Sequence, residues 1–432
     1  MKDKAKLINT AKNCIIAVLF VSSIFLLFKA VFYESSNDLS KMSSLFSGNS
    51  GKSASLSPVT ESSELKAEPV FILVTAKDGS HYSIKYDSQS KNEMFSKFSA
   101  ALGEALGSSG EPAQISMENW QKVLGGSGVF FDYLYPQPLA YIANCLGTQI
   151  SGSASSKTAR RLFLGGDNDK LVLYYIDESD GLFYSCNTAS SFSTISSKIA
   201  EFPLGTANFA FEEKDYSSLD PYFIFSHESG KIREISAANP LRSDFSPDDL
   251  LGLFGINSRT VNPYHEDDGS EVYVEGGKTL RIEASGKVLF SVTGNDGIPI
   301  TSSSGDLTIS DCLSVCSSIT EKSVGLMSGD GNIGLAKILN SSVPSSSEIS
   351  FGYFVGGIPI SLPDANFAAD FQINNGVIIR AELYFRKYTF SGNTIMALPE
   401  KQATAIAEPL GGEPVLVYED KIDGISATWI IN

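Results

Sequence analysis

Residues 70–107 read VFILVTAKDGSHYSIKYDSQSKNEMFSKFSAALGEALG. Two runs rich in β-branched and aromatic residues, 70–74 and 81–86, flank a Lys-Asp-Gly turn and predict an antiparallel strand pair. A helix should follow, because Ser90 and Glu93 have the spacing of a capping box and apolar residues then recur along one helical face. Strands joined by a tight turn and covered by an amphipathic helix predict the α+β class.

The sequence beyond this stretch repeats the same mixture of short strands and amphipathic helices. Helix signals occur at Ser246-Pro247 and over 307–319, a hairpin turn is expected at 165–168, and one long strand is expected over 377–388. The regular alternation of helix and buried strand that marks a doubly wound sheet is not found. We therefore predict a multi-domain, mostly antiparallel sheet-plus-helix structure. Its parts are a first α+β domain at 67–203, a middle domain with a β-meander at 204–300 and a C-terminal α+β domain at 301–432.

An apolar stretch near the N-terminus predicts a membrane anchor. Residues 14–33 are almost entirely apolar, and 20 helical residues span the roughly 30 Å of a bilayer core. Four lysines in residues 1–13 place that tail in the cytoplasm and the residues after Tyr33 outside the cell. A cleaved signal peptide would need small residues directly after the apolar run, whereas Lys29 and bulky residues follow. We expect a single-pass cell-membrane protein with a cytoplasmic tail (1–13), one transmembrane helix (14–33) and an extracellular ectodomain.

Composition limits the partners of this ectodomain. Residues 34–66 contain twelve serines and few aromatic residues, which predicts a flexible tether. The whole chain of 432 residues has a formal net charge of -16. Nucleic-acid binding requires a surface rich in lysine and arginine, so the acidic balance argues against nucleic-acid partners and favours a basic protein surface.

The sequence contains no convincing catalytic constellation. Of its three histidines, His227 lies between Ser226 and Glu228, but adjacent side chains on a strand point to opposite faces and cannot form a triad by themselves. We therefore interpret the histidines as surface or boundary residues and predict a protein that is not an enzyme. No catalytic and no cofactor-binding residue is assigned.

The cysteines also suggest no metal or cofactor. Cys312 and Cys316 are four residues apart on one predicted helical face, which could supply two zinc ligands, but no second ligand pair lies nearby. We expect both thiols to face a hydrophobic core. Whether Cys145 and Cys186 form a disulfide stays open at this stage, because spacing alone does not place their Cα atoms within bridging distance.

Two acidic runs, 167–169 and 265–269, carry the kind of oxygen ligands that calcium prefers. Neither continues into the alternating Asp pattern with a distal glutamate that a calcium loop uses. We interpret both as acidic hairpin turns and assign no metal-binding residue.

Three stretches carry a resemblance: SGVFFDY and the residues up to Pro138 (127–138), GGKTLRI with GKV (276–282 and 286–288), and FGYFVGGIPI (351–360). They resemble segments of the YycH/YycI family of membrane-anchored regulatory proteins. Chain length and three-part organisation are more similar to YycH than to YycI. The resemblance implies an α+β ectodomain without catalytic residues, and a partner that is the membrane sensor histidine kinase of a cell-wall two-component system.

The expected function is therefore that of a non-enzymatic, extracytoplasmic regulator that acts on such a kinase by protein–protein contact. A sister single-pass regulator is a further candidate partner. The alternatives are an anchored protein that binds a cell-envelope polymer, or an inhibitory or binding module similar to PepSY domains. An envelope hydrolase is a third and weaker alternative.

Within the predicted membrane helix, Ser22 and Ser23 are candidate contact residues. Small hydroxylated residues allow helices to approach closely and to form interhelical hydrogen bonds. The alternative is that their hydroxyl groups bond to carbonyls of the preceding turn of an anchor without partners.

Overall fold

The computed structural model of the chain describes residues 67–432, except for 168, 227–231, 243–245, 295, 303–304, 342, 364–366, 422 and 432. The predicted tail (1–13), membrane helix (14–33) and tether (34–66), together with Ser22 and Ser23, lie outside the described residues. Within the described part, no helix is both long and apolar enough to cross a membrane.

The first sheet begins with the strand that opens the predicted fold. Its strands are β1 (Phe71–Thr75), β2 (His81–Ile84), β3 (Ala113–Ile115), β4 (Gly128–Pro138), β5 (Thr158–Asp167), β6 (Lys170–Asp177), β7 (Leu182–Ser191), β8 (Ala207–Phe209) and β9 (Ile224–Ser226). They lie in the order β3-β7-β6-β5-β4-β1-β2-β8-β9, and each described pair is antiparallel.

Both faces of this sheet are buried, which explains why the first four residues of β1, Phe71 to Val74, are all apolar. Ile72 and Val74 belong to the main core with the helices on one face, whereas Phe71 and Leu73 belong to a second core on the other face. The helices that contribute to the main core here are α1 (Ser88–Gly107), α3 (Leu139–Cys145) and α4 (Ser193–Ile199), and α2 (Met117–Leu124) contributes to the second core.

The second large sheet contains twelve strands. They are β11 (Tyr264–His265), β12 (Glu271–Glu275), β13 (Lys278–Ile282), β14 (Lys287–Val292), β15 (Ile298–Pro299), β16 (Gly331–Leu339), β17 (Glu348–Val355), β18 (Ile358–Ser361), β19 (Ala369–Asn374), β20 (Val377–Tyr384), β22 (Pro414–Lys421) and β23 (Gly424–Ile431). The path runs β11-β12-β13-β14-β20-β19-β17-β18-β22-β23, with β15 beside β20 and β16 beside β17. Only the β18–β22 pair among the described strand pairs is parallel, and β10 (Ile232–Ala238) pairs separately with β21 (Lys387–Ile395).

Three further α-helices complete the described structure. They are α5 (Asp248–Leu253), α6 (Ile309–Thr320) and α7 (Glu400–Ala407). A π-helical turn (Glu321–Gly325) continues α6, and short 3-10 turns lie at Gly152–Ser156, Ala210–Glu212, Lys214–Tyr216, Pro240–Arg242, Pro344–Ser346 and Glu408–Leu410. This mixture of mostly antiparallel sheets and helices confirms the predicted α+β class.

The C-terminal hairpin packs against the first sheet. Val415 and Val417 of β22 share a buried cluster with Phe71 and Leu73 of β1. The first sheet itself extends past residue 203, because β8 and β9 add to its edge. The described residues therefore form interlocking sheets, in which the last strands of the chain close the core of the first.

Several local predictions need correction. Asp87 caps α1, its carboxylate accepting from the backbone NH groups of Gln89 and Ser90, so the predicted capping box at Ser90 and Glu93 was wrong. The chain leaves β20 after Tyr384 and starts a separate strand at Lys387, so the long strand over 377–388 is two strands. The turn expected at 165–168 begins later, because β5 remains paired with β6 through Asp167.

Candidate interaction surface

Three side chains form a constellation similar in outline to a hydrolytic triad. The Thr75 hydroxyl lies 2.9 Å from His81 Nδ1, and His81 Nε2 lies 3.0 Å from Glu212 Oε1. The same hydroxyl donates to the carbonyl oxygen of Leu124 at 3.2 Å. Thr75 is completely buried and His81 is 2% exposed, so no substrate can reach the hydroxyl. The arrangement therefore connects β1, β2, α2 and the turn at Glu212 as a structural link.

The other histidines are placed differently. His265 is exposed in β11, as expected, whereas the buried position of His81 corrects the expectation of surface or boundary histidines. Sequence reasoning missed His81 because its partner Glu212 is 131 residues away. His227 and Glu228 lie outside the described residues.

The cysteines of α6 are core residues. Cys312 and Cys316 are fully buried in the main core, which confirms the prediction that they face it. The Cys312 thiol lies 3.4 Å from the carbonyl oxygen of Pro344, and burial raises its pKa to about 12. Cys145 and Cys186 are free thiols, so the open question of a disulfide between them is answered in the negative.

The acidic run at 265–269 forms a hairpin turn, as predicted. Glu266 and Asp268 both contact the Arg281 guanidinium, at 2.5 and 2.6 Å. The backbone NH of Ser270 donates to Asp268 Oδ1 at 2.9 Å. Among the described residues, no group of three or more His, Cys, Asp or Glu side chains has the arrangement of a metal site.

A buried cluster of charges joins the first sheet to the C-terminal hairpin. Arg160 and Arg161 of β5 both bind Asp132 of β4, and both also reach Glu413 directly before β22. Arg161 Nη1 additionally donates to Asp220 Oδ2 at 2.9 Å. Buried ion pairs of this kind need several hydrogen bonds to offset desolvation, and the two guanidinium groups supply them.

The carboxylate at the centre of this ion cluster is held ionised. Burial alone would raise the pKa of Asp132, but Arg160 and Arg161 lower it more, and the net shift is downward. The backbone NH of Leu134 adds a hydrogen bond to Asp132 Oδ1 at 2.7 Å. Nothing in the sequence spacing identified this cluster, because its members come from four separate segments.

A group of exposed apolar side chains lies on the C-terminal part of the chain. We call it the C-terminal apolar surface, and it consists of Met396, Leu398, Ile406, Leu410, Ile430 and Ile431. Trp429 Nε1 donates to the carbonyl oxygen of Leu398 at 2.8 Å, which places Leu398 beside the strand that carries Ile430 and Ile431. Large exposed apolar side chains are groups that an interface with another protein can bury.

The buried residues of α7 determine which of its side chains face the solvent. Ala403 and Ala407 of α7 are buried, and Ala407 packs with Phe223 and Phe225. Ile406 and Leu410, four residues apart, remain 59% and 67% exposed. In α7 the small residues face inward and the large apolar Ile406 faces outward, which is the reverse of an ordinary surface helix, and Leu410 lies in the 3-10 turn that follows. The exposed side is therefore suited to a protein partner.

The motif at 351–360 lies where the first and last parts of the chain meet. Phe351–Val355 is in β17, Ile358–Ile360 is in β18, and Gly356 and Gly357 form the turn with φ of 61° and 84°. A Cβ atom at Gly357 would lie 3.8 Å from the backbone N of Ser88 at the start of α1. The positive φ angles favour glycine at this turn, whereas a Cβ at Gly357 would make only ordinary van der Waals contact with α1.

No protein-family model matches the sequence, and no curated protein matches it. Among solved structures, YycH from Bacillus subtilis matches with a TM-score of 0.55 and 11% sequence identity, over 87% of this chain and 96% of that one. An inactive variant of CurK dehydratase matches with a TM-score of 0.15 and 12% identity, over 67% of this chain and 100% of that one, and carries no structural argument. The likeness to YycH establishes the fold, which the resemblance of the three motifs had predicted. The chain has a YycH-like fold.

Proposed function

We propose that this protein is a membrane-anchored, non-enzymatic regulator that acts by direct contact on a membrane sensor histidine kinase. The observation that carries the proposal is the YycH-like fold, which extends over 87% of the chain. It agrees with the regulatory role that the sequence resemblance implies. The Thr75 hydroxyl beside His81 has no access to solvent, so these two side chains are not a site for hydrolysis.

The apolar segment 14–33 supports anchoring in the cell membrane with the ectodomain outside. Two partners that are confined to one membrane meet at a high effective concentration, so a modest contact is sufficient for regulation. The regulator would shift the kinase between signalling states if it binds one state more tightly than the other. A sister single-pass protein could occupy the same assembly.

We propose the C-terminal apolar surface as the contact with the extracytoplasmic part of the kinase. Ile406 is held outward by α7, whose small residues are packed inward, and Leu410 is exposed in the 3-10 turn that follows. Burial of Ile406 and Leu410 in an interface would remove apolar area from water, which is the main favourable term in most protein association.

Site-specific photocrosslinking in membranes tests this proposal. A photoreactive residue is placed at Ile406 or Leu410 of the full chain, with Leu326 (71% exposed) and Met117 (47% exposed) as matched positions elsewhere. We expect adducts with the kinase from the first two positions and few from the controls. Absence of kinase adducts from all four positions, with the protein instead sedimenting with purified cell walls, would reject the proposal in favour of polymer binding.

A further inference from the structure

A cavity of about 480 Å³ opens at the turn between β12 and β13. Its size is within the range of about 300–1,000 Å³ that is typical of ligand pockets. It lies beside the end of β20 that contributes Val377, and both β14 and β15 pair with β20. Backbone makes up much of its wall, since four of its lining residues are glycines: Gly255, Gly276, Gly277 and Gly297.

One wall carries a fixed carboxylate. Glu275 Oε2 accepts from the backbone NH of Asn257 and Oε1 accepts from the Thr260 hydroxyl, both at 2.9 Å. These two hydrogen bonds hold the pKa of Glu275 below its ordinary value, so it is ionised at neutral pH. The position of this negative charge is therefore set before any ligand arrives.

The remaining charges leave the cavity negative. The Lys278 ammonium is directed to the carbonyl oxygen of Gly255 at 3.0 Å. Asp296 is exposed at the cavity, and among the described residues its carboxylate has no hydrogen-bond or ion-pair partner. The cavity thus has two carboxylates, Glu275 and Asp296, and one ammonium, Lys278. Of the two carboxylates, that of Asp296 has no partner among the described residues.

We propose that this cavity binds an arginine side chain presented by a protein partner. A planar guanidinium donates to several acceptors at once, which matches a carboxylate fixed in one wall and a second carboxylate exposed at the mouth. The net charge of -16 attracts basic surfaces in the same way. The ligand chemistry is argued from the cavity alone, and the identity of the partner as the kinase rests on the proposed function.

A labelled peptide tests the cavity directly. The full chain in detergent micelles is titrated with a fluorescent peptide of glycines and one arginine, and with the same peptide carrying neutral citrulline. We expect Asp296→Asn to raise Kd for the arginine peptide about threefold to tenfold, as for a partly exposed ion pair. Lys278→Met should lower Kd, because it removes the opposing positive charge.

The matched control is Asp215→Asn, which removes an equally exposed acidic residue from the turn Lys214–Tyr216. Equal losses in Asp215→Asn and Asp296→Asn, or equal binding of the arginine and citrulline peptides, would overturn the proposal. Binding of the peptide with no kinase photoadducts would keep the cavity and reject the kinase. Kinase photoadducts together with equal binding of the two peptides would keep the kinase as the partner and reject the cavity as an arginine site.

Discussion

Arg160 and Asp132 form a bidentate ion pair between neighbouring strands, with Nε donating to Oδ1 at 2.7 Å and Nη2 to Oδ2 at 2.9 Å. The same guanidinium binds Glu413, which is 253 residues further along the chain, at 2.6 Å from Nη1 to Oε2. One side chain thus connects the first sheet with the hairpin that ends the described structure. The ion cluster therefore fixes how the C-terminal strands close on the first sheet.

Arg160→Met should reduce the free energy of unfolding by about 3 kcal/mol, because it leaves buried carboxylates with only Arg161 to compensate them. Denaturant titration of the full chain in micelles measures this loss. Arg380→Met is the matched control, since the Arg380 side chain is 53% exposed and its pair with Glu382 is on the surface. That change should cost less than about 1 kcal/mol. Similar losses in both variants would contradict a special role for the ion cluster.

The ion cluster also predicts how stability depends on pH. The folded pKa of Asp132 is lowered below its ordinary value of 3.8, with burial opposing the shift and Arg160 and Arg161 outweighing it. The stabilisation is therefore fully present above about pH 4 and is lost as pH falls below that value through the folded pKa. Denaturant titrations between pH 3 and about 7 should show a smaller fall for Asp132→Asn than for the unmodified chain. A fall of equal size in both proteins would rule out Asp132 as a source of acid sensitivity.

Glu178 should have the opposite effect from Asp132 on the dependence of stability on pH. Burial raises the pKa of Glu178 above 4.5, and the attraction of Arg161 and Arg160 only partly opposes this shift. The carboxyl group is therefore harder to ionise in the folded chain than in the unfolded chain. Its ionisation therefore removes stability as pH rises from about 4.5 through the folded pKa. Glu178→Gln should be more stable than the unmodified chain at pH 7 and nearly equal to it at low pH. A destabilised variant at pH 7 would show that the carboxylate is needed in its charged form.

The sequence predicted local structure well where neighbouring residues determine it. The apolar run in β1, the buried face of α1 and the buried thiols of α6 all followed from periodicity, because one buried face repeats at a fixed spacing. The cap of α1 was missed by three residues, since Asp87 and Ser90 are both good N-cap residues and only the backbone conformation decides between them.

The sequence did not predict contacts between distant segments. The pairing of Arg160 with Glu413 and of His81 with Glu212 depends on topology, and no local spacing carries that information. The packing of β22 on the first sheet was missed for the same reason. The C-terminal apolar surface was also not predicted, because Ile406 looks like a core residue until the buried face of α7 is known to be Ala403 and Ala407.

The two buried thiols of α6 should respond differently to serine. Cys316→Ser should cost about 1–3 kcal/mol of stability, because it places a polar hydroxyl at a fully buried position in the apolar core. Cys312→Ser should cost less, since the hydroxyl can donate to the carbonyl oxygen of Pro344, which already lies 3.4 Å from the thiol. Denaturant titration compares the two variants, and a larger loss at Cys312 would contradict the assignment. Elemental analysis of the unmodified chain is the parallel check, and one zinc per chain would overturn the core interpretation of both thiols.

Ser22 and Ser23 lie midway along the predicted membrane helix, outside the described residues, and they offer a test of contact within the membrane. Replacing both with leucine keeps the segment hydrophobic and preserves its topology. Interhelical hydrogen bonds from such residues contribute about 0.6–2 kcal/mol, which is roughly a threefold to thirtyfold change in association. If this face meets a helix of the kinase, we expect output from a kinase-controlled reporter to change while protein abundance stays normal.

The control for that experiment is Val18→Leu with Val21→Leu, which adds similar bulk to the same helix without removing a hydroxyl group. Equal output from the serine variant, the valine control and the unmodified chain would show that the helix is an anchor only. The regulatory contact would then have to lie in the ectodomain, where photocrosslinking at Ile406 and Leu410 examines it independently. A change in output with the serine variant alone would assign part of the contact to the membrane, because only that variant loses the hydroxyl groups that could bond to a second helix.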